Sequence, residues 1–194
     1  MGKKPKTAKI IIGMGCQDII HTSTAHAIGC AIIGNPNIVD FLVYKGCDIV
    51  SARTWLVRQA LKAEATHLLF VDSDIMFPPD AIDRLLAHNK DIVGVEYNKR
   101  KFPLEKVSKP LTEESATELY QGKVLGTGLM LINLDIFRKK NHPMKEPWFN
   151  FGRDSQGQLV LGEDAWFVYT ARDAGYESWI DPTIKVGHLG EYMY

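Results

Sequence analysis

Short apolar runs alternate along the chain with stretches in which apolar residues recur at helical spacing. This alternation predicts an α/β protein, a sheet with helices on its faces. Residues 9–14 read as the first strand. Residues 19–33 place Ile20, Ala27, Ile28, Ala31 and Ile32 near helical spacing, and residues 37–44 form a second strand ended by Lys45-Gly46. From Ser51, whose side chain suits an N-cap, residues 51–65 set Leu56, Val57, Ala60 and Leu61 on one stripe. The run His67-Leu68-Leu69-Phe70-Val71 is almost wholly apolar, as expected of a strand covered on both faces. Pro78-Pro79-Asp80 opens a helix with Ile82, Leu85 and Leu86 inward, and residues 91–95 supply another buried strand. Strand, helix, strand in that order predict a right-handed parallel crossover.

Beyond Tyr97 the pattern weakens. Lys99-Arg100-Lys101, Pro103, Pro110 and Glu113-Glu114 fall within about twenty-five residues of weak period, a length that marks a functional or mobile loop. Residues 128–132 restore a strand and 134–139 a short helix, and a second loop, 141–162, carries Trp148, Phe149 and Phe151. Residues 163–174 read as a helix stopped by Gly175, and strands at 177–180 and 184–186 close the chain. The chain shows no internal repeat, and its 194 residues are expected to form a single domain.

Composition removes several classes of function. With 45% hydrophobic and 24% charged residues the chain can bury a core and is not of disordered type. Lys plus Arg is 23 and Asp plus Glu is 23, so no net field exists with which to wrap nucleic acid. No apolar run is long enough for a transmembrane segment. Cys16, Cys30 and Cys47 are odd in number and widely separated, with no C-x-x-C pair. Buried or half-buried thiols in a reducing cytoplasm fit that spacing better than disulfides or zinc. Lys3, Lys4 and Lys6 before Ile10-Ile11-Ile12 imitate a signal peptide, but Gly13 breaks the apolar stretch too early. Lys6 also stands where a myristoylation signal needs Ser or Thr.

Candidate chemistry starts at Asp72-Ser73-Asp74, directly after the apolar strand. In an extended chain, alternate residues point the same way about 6.6 Å apart, so two carboxylates there repel unless a cation or donor lies between them. Thirteen Asp in the chain produce about one such triplet by chance, so the address matters more than the motif. The address is the carboxyl end of a buried strand, where open α/β sheets bind ligands, and a divalent cation with a nucleotide diphosphate would suit it. Glu163-Asp164 opens a helix after a glycine-bearing loop. That position serves helix capping through the dipole, or a general base held in a cleft. His188, between Gly187 and Gly190, sits just past a strand, where an imidazole can reach a cation beside carboxylates. The other five histidines, His21, His26, His67, His88 and His142, read as structural or surface residues.

Together these elements resemble a family. Thr66 to Asp74, followed by Phe77-Pro78-Pro79-Asp80, is similar to the D-x-D region of GT-A-fold, family-2-like glycosyltransferases. The order that follows is similar too: Gly126-Thr127-Gly128, Gly162-Glu163-Asp164, Gly175-Tyr176 and His188, with Ser51-Ala52-Arg53 upstream. The resemblance implies a single-domain GT-A (Rossmann-like), mostly parallel sheet flanked by helices. It implies a nucleotide-donor half over about 1–96 and an acceptor half over about 97–194. It further implies a metal-dependent sugar transfer from a nucleoside-diphosphate sugar, UDP-sugar favoured, to an unknown acceptor. Asp74 and His188 would ligate Mn2+ or Mg2+, and Asp72 would reach the donor ribose or a metal-bound water. Arg53 would lie near the nucleotide, and Asp164, supported by Glu163, would be the base of an inverting reaction. The chain is short for that fold, which leaves the acceptor side to the 97–122 and 141–162 loops. The Gly13-Met14-Gly15-Cys16-Gln17-Asp18 loop departs from the family pattern and leaves the base-binding residues open.

Other readings are a non-catalytic nucleotide- or carbohydrate-binding module on the same scaffold, or a haloacid-dehalogenase-type phosphatase. The latter pattern wants Thr or Val where Met76 stands. A sugar-nucleotide pyrophosphorylase would carry basic residues in its first glycine-rich loop, and residues 13–18 have none.

Overall fold

The computed structural model describes residues 7–112, 117–138 and 144–190. The lysines at 3–6, Glu113-Glu114, Lys139 and His142 lie outside them. In chain order the elements are β1 (Ile10–Cys16), α1 (Thr22–Gly34), β2 (Ile38–Lys45), α2 (Ile49–Lys62), β3 (His67–Val71) and β4 (Ile75–Met76). Next come α3 (Ala81–Ala87), β5 (Ile92–Val95), β6 (Lys109–Pro110), β7 (Tyr120–Val124), β8 (Leu129–Asn133) and α4 (Asp135–Arg138). The remainder is β9 (Gly152–Arg153), β10 (Leu159–Leu161), α5 (Glu163–Asp173), β11 (Ser178–Asp181) and β12 (Gly187–His188).

The architecture is α/β, as the alternation predicts, around a mixed sheet in the order β2-β1-β3-β8-β5-β11-β7-β6. Strand β1 runs parallel to β2 and β3, and β11 is parallel to β5, but β8 is antiparallel to both its neighbours. The crossover from β3 through α3 therefore joins parallel strands, with β8 inserted between them. Period-2 alternation divides the core between two faces. Ile11, Leu68 and Phe70 turn towards α2 and α5, while Ile12, Leu69 and Val71 turn towards α1 and α3.

Several local expectations change. The N-cap of α2 is Asp48, which accepts the Val50 N–H at 3.1 Å and the Ser51 hydroxyl; Ser51 lies inside the helix. A carboxylate one turn earlier satisfies the free N–H groups better than a serine that is itself helical. Both long loops hold short strands, β6 and β7 in the first and β9 and β10 in the second. Phe149 of the second loop is fully buried, stacked on Phe167 at 4.8 Å and edge-on to Phe70 at 5.6 Å. Residues 184–186 are not a strand. The pairing segment is β12, which runs antiparallel to β4. Ile184 is buried in the core beneath it, so its apolar character reports packing rather than pairing. Cys47 is exposed, whereas Cys16 and Cys30 are half-buried. No helix among the described residues is long and apolar enough to cross a membrane.

Candidate functional site

The carboxyl ends of β3 and β5, the start of β8 and the N-terminus of α5 meet at one edge of the sheet. There β3 stops at Val71, and Asp72-Ser73-Asp74 is a turn rather than extended chain, closed by the Ile75 N–H on Asp72 O at 3.3 Å. The turn is held from two sides: the Asp72 N–H donates to Gly128 O at 3.0 Å, and the His21 N–H to Ser73 O at 2.9 Å. Because it turns, its two carboxylates take different partners, Arg53 for Asp72 and His188 with Arg100 for Asp74.

Asp74 faces His188. The β4–β12 ladder sets His188 opposite Ile75, and the Leu189 N–H donates to Asp74 O at 2.7 Å. His188 Nε2 then lies 3.6 Å from Asp74 Oδ2, and Arg100 Nη1 lies 3.0 Å from the same oxygen. Burial would raise the Asp74 carboxyl, but His188 and Arg100 hold it below its ordinary value. Burial alone would lower His188; Asp74 and the Asn98 carbonyl raise it.

Asp72 faces the other way. Its Oδ1 is 3.5 Å from Nη2 of Arg53, a residue only 5% exposed whose Nη1 donates to Glu163 Oε1. Arg53 thus joins α2 to the D-x-D turn and to α5. Burial first, then the charges of Asp74 and Glu163, push Asp72 up despite Arg53. Asp164 is pushed up by burial and by neighbouring Glu163. Its Oδ1 accepts the Ala165 N–H at 2.6 Å. Four carboxylates here meet two guanidiniums, an excess of two negative charges when the imidazole is neutral.

The comparisons with known proteins join this geometry. No family model matches the chain, and no curated protein matches it. It superposes on the crystal structure of A197 from STIV with a TM-score of 0.68 and 13% identity, over 94% of this chain and 86% of that one. It superposes on GalNAc-T7, crystallised with UDP, GalNAc and Mn2+, with a TM-score of 0.62 and 13% identity. That match covers 96% of this chain and 45% of the other. The fold is GT-A-like. At such identity the likeness concerns the GT-A-like fold alone, with distant similarity to a glycosyltransferase.

Three features of this site carry no mark in the sequence. Tyr97 is buried beneath the turn, accepts the Gly128 N–H on its hydroxyl at 2.9 Å, and packs edge-on to His188 at 5.3 Å. A Cβ on Gly126 or Gly128 would sit 2.4 or 2.6 Å from that hydroxyl, which explains both glycines. The Asn98 carbonyl lies 2.7 Å from His188 Nδ1. Arg100 belongs to a basic triplet whose only sequence signal is its composition.

The residues suit a divalent cation in one specific way. A carbonyl only accepts, so the Asn98 contact fixes one proton on Nδ1 of His188 and leaves Nε2 as the ring nitrogen nearest Asp74, the atom whose lone pair a cation would take once its proton is lost. Such a backbone partner on the far ring nitrogen is usual for ligating histidines. No cluster of three or more His, Cys, Asp and Glu suited to a metal occurs among the described residues. A cation here would therefore have Asp74 and His188 as protein ligands and complete its shell with phosphate and water, as Mg2+ commonly does.

Proposed function

We propose that this protein is a metal-dependent glycosyltransferase that moves a sugar from a nucleoside-diphosphate sugar, UDP-sugar favoured, to a hydroxyl acceptor with inversion. The observation that carries the reading is the Asp74–His188 pair, a carboxylate and an imidazole 3.6 Å apart at the carboxyl edge of a GT-A-like sheet. Mn2+ or Mg2+ bound there supplies Lewis-acid neutralisation of the diphosphate leaving group. Asp72, next to the pair, orients the donor ribose or a water. Arg53 holds Asp72 and Glu163 at fixed separation near the nucleotide. The acceptor oxygen bonds to the anomeric carbon as the bond from that carbon to the phosphate oxygen breaks, and the electron pair leaves with the nucleoside diphosphate. Asp164 Oδ2 takes the acceptor proton, and Glu163 raises its basicity by charge.

Calorimetric titration with UDP, GDP and ADP, each with and without Mn2+, tests this reading. One nucleotide should bind more tightly with the cation, and Asp74→Asn should remove that gain while the circular dichroism stays unchanged. Equal cation-enhanced binding by variant and parent defeats the ligand assignment. The contact of Arg100 with Asp74 favours a second reading, a binding module whose guanidinium stands in for the cation. Release of UDP from a UDP-sugar in the presence of Mn2+ separates an enzyme from such a module.

A further inference from the structure

The segment after β5 folds back as a hairpin over the acidic turn. Asn98 bridges Lys106, the Lys99 N–H donates to Glu105 O at 2.7 Å, and the Val107 N–H donates to Tyr97 O at 2.9 Å. Lys99 and Lys101 both pair with Glu105. Two members of the basic triplet are therefore neutralised within the hairpin, and the third is not. Arg100 points across to Asp74 Oδ2, the oxygen that also faces His188. Its side chain is 51% exposed and that of Asp74 only 14%, so the guanidinium reaches a largely buried carboxylate from the more exposed side of the contact. A cation arriving between Asp74 and His188 needs the same negative charge that Arg100 is using.

We infer that Arg100 is a built-in counter-ion of Asp74 which a divalent cation displaces, so that cation and diphosphate bind cooperatively. The inference rests on the metal reading proposed above. A cation binding alone must break a charge-assisted hydrogen bond and leave the guanidinium facing another positive charge. A cation arriving with a diphosphate meets a different balance. The freed guanidinium, still carried by the hairpin, finds phosphate oxygens for its planar donor fork. Each ligand then tightens the other by the same factor, as linkage requires. Arg100 would act as a positioning residue: it sets when the site accepts the cation.

The test measures free Mn2+ by electron paramagnetic resonance in titrations of the whole chain, with and without UDP, for parent, Arg100→Ala and Arg100→Lys. Arg100→Ala should bind Mn2+ alone about fivefold or more tightly than the parent, the lower end of ordinary coupling. UDP should then tighten Mn2+ binding less in Arg100→Ala than in the parent. Arg100→Lys, which keeps the charge but loses the planar fork, should fall between the two. Mn2+ affinity in Arg100→Ala equal to or weaker than that of the parent overturns the inference while leaving the metal reading intact. Absence of Mn2+ binding by parent and variants alike, even with UDP, removes the metal reading and this inference with it.

Discussion

At the scale of single residues, the site works by giving similar carboxylates different surroundings. Asp74 is lowered by His188 and Arg100, against the effect of burial, whereas Asp164 is raised by burial and by Glu163. A lowered carboxyl suits cation ligation and a raised one suits proton removal. Asp164→Asn should slow sugar transfer by ~10²–10⁴-fold at unchanged UDP affinity, measured by initial rates and calorimetry. The sign of the pH effect follows from the shift. The proposed base would work ionised, so the parent's rate should fall on acidification at a pH above the ordinary aspartate value of 3.8. Ionising a carboxyl whose folded pKa is raised costs stability, and that cost is relieved as pH falls towards the raised value. Asp164→Asn removes the cost at neutral pH, so the variant should melt at a higher temperature than the parent. A variant both slower and less stable would mean that Asp164 acts as a structural helix cap.

At the scale of elements, the site depends on contacts between segments far apart in sequence. Arg53 on α2 reaches Asp72 after β3 and Glu163 on α5, and it is nearly inaccessible to water. Arg53→Met should therefore destabilise the fold by about 3 kcal/mol, because two carboxylates lose their cation in a poorly solvated place. Urea unfolding measures it, and Arg53→Lys should recover part of the loss. The Asp72–Ser73–Asp74 turn is another product of several elements. Its geometry comes from Gly128 O, His21 N–H and the pairing of the next strand, β4, with β12, partners that all lie far from it in the chain. The spacing of the motif suggests two parallel carboxylates, and the turn sends one to Arg53 and the other to His188. That divergence is invisible in the motif, since it depends on where β3 stops.

At the scale of the whole molecule, β11, inside the sheet between β5 and β7, ends in a second buried charge. Asp181 is almost fully buried; it accepts the Thr183 N–H at 2.7 Å, and its Oδ2 lies 2.8 Å from His88 Nε2 of the residue capping α3. Burial opposes ionisation there, but hydrogen bonds from Thr183 and His88 hold the carboxyl below its ordinary value. A depressed pKa contributes stability above the unfolded value, and that contribution is lost as pH falls through the folded value. Thermal stability should thus decline below about pH 4. Asp181→Asn should be less stable at neutral pH and show a flatter acid decline in the same melts. A parallel acid decline in variant and parent would place the lost charge elsewhere.

The alternation of apolar runs is enough for the α/β class, for β3 to its end residues, and for α5 with its glycine stop, because burial on two faces leaves a period that any reader of the chain can count. The same local chemistry marks Asp72, Asp74, Asp164 and His188 as candidates. Strand direction is another matter: β8 carries the same apolar run whether it lies parallel or antiparallel, and only its place between β3 and β5 decided. The partners of each candidate belong to that level as well. Tyr97 beneath the turn, Asn98 behind His188, Arg100 on Asp74 and Arg53 between two carboxylates join residues separated by up to 110 positions. Local pattern carries no information on such pairs, because the energies that select them arise only when packing brings desolvated charges and backbone groups together.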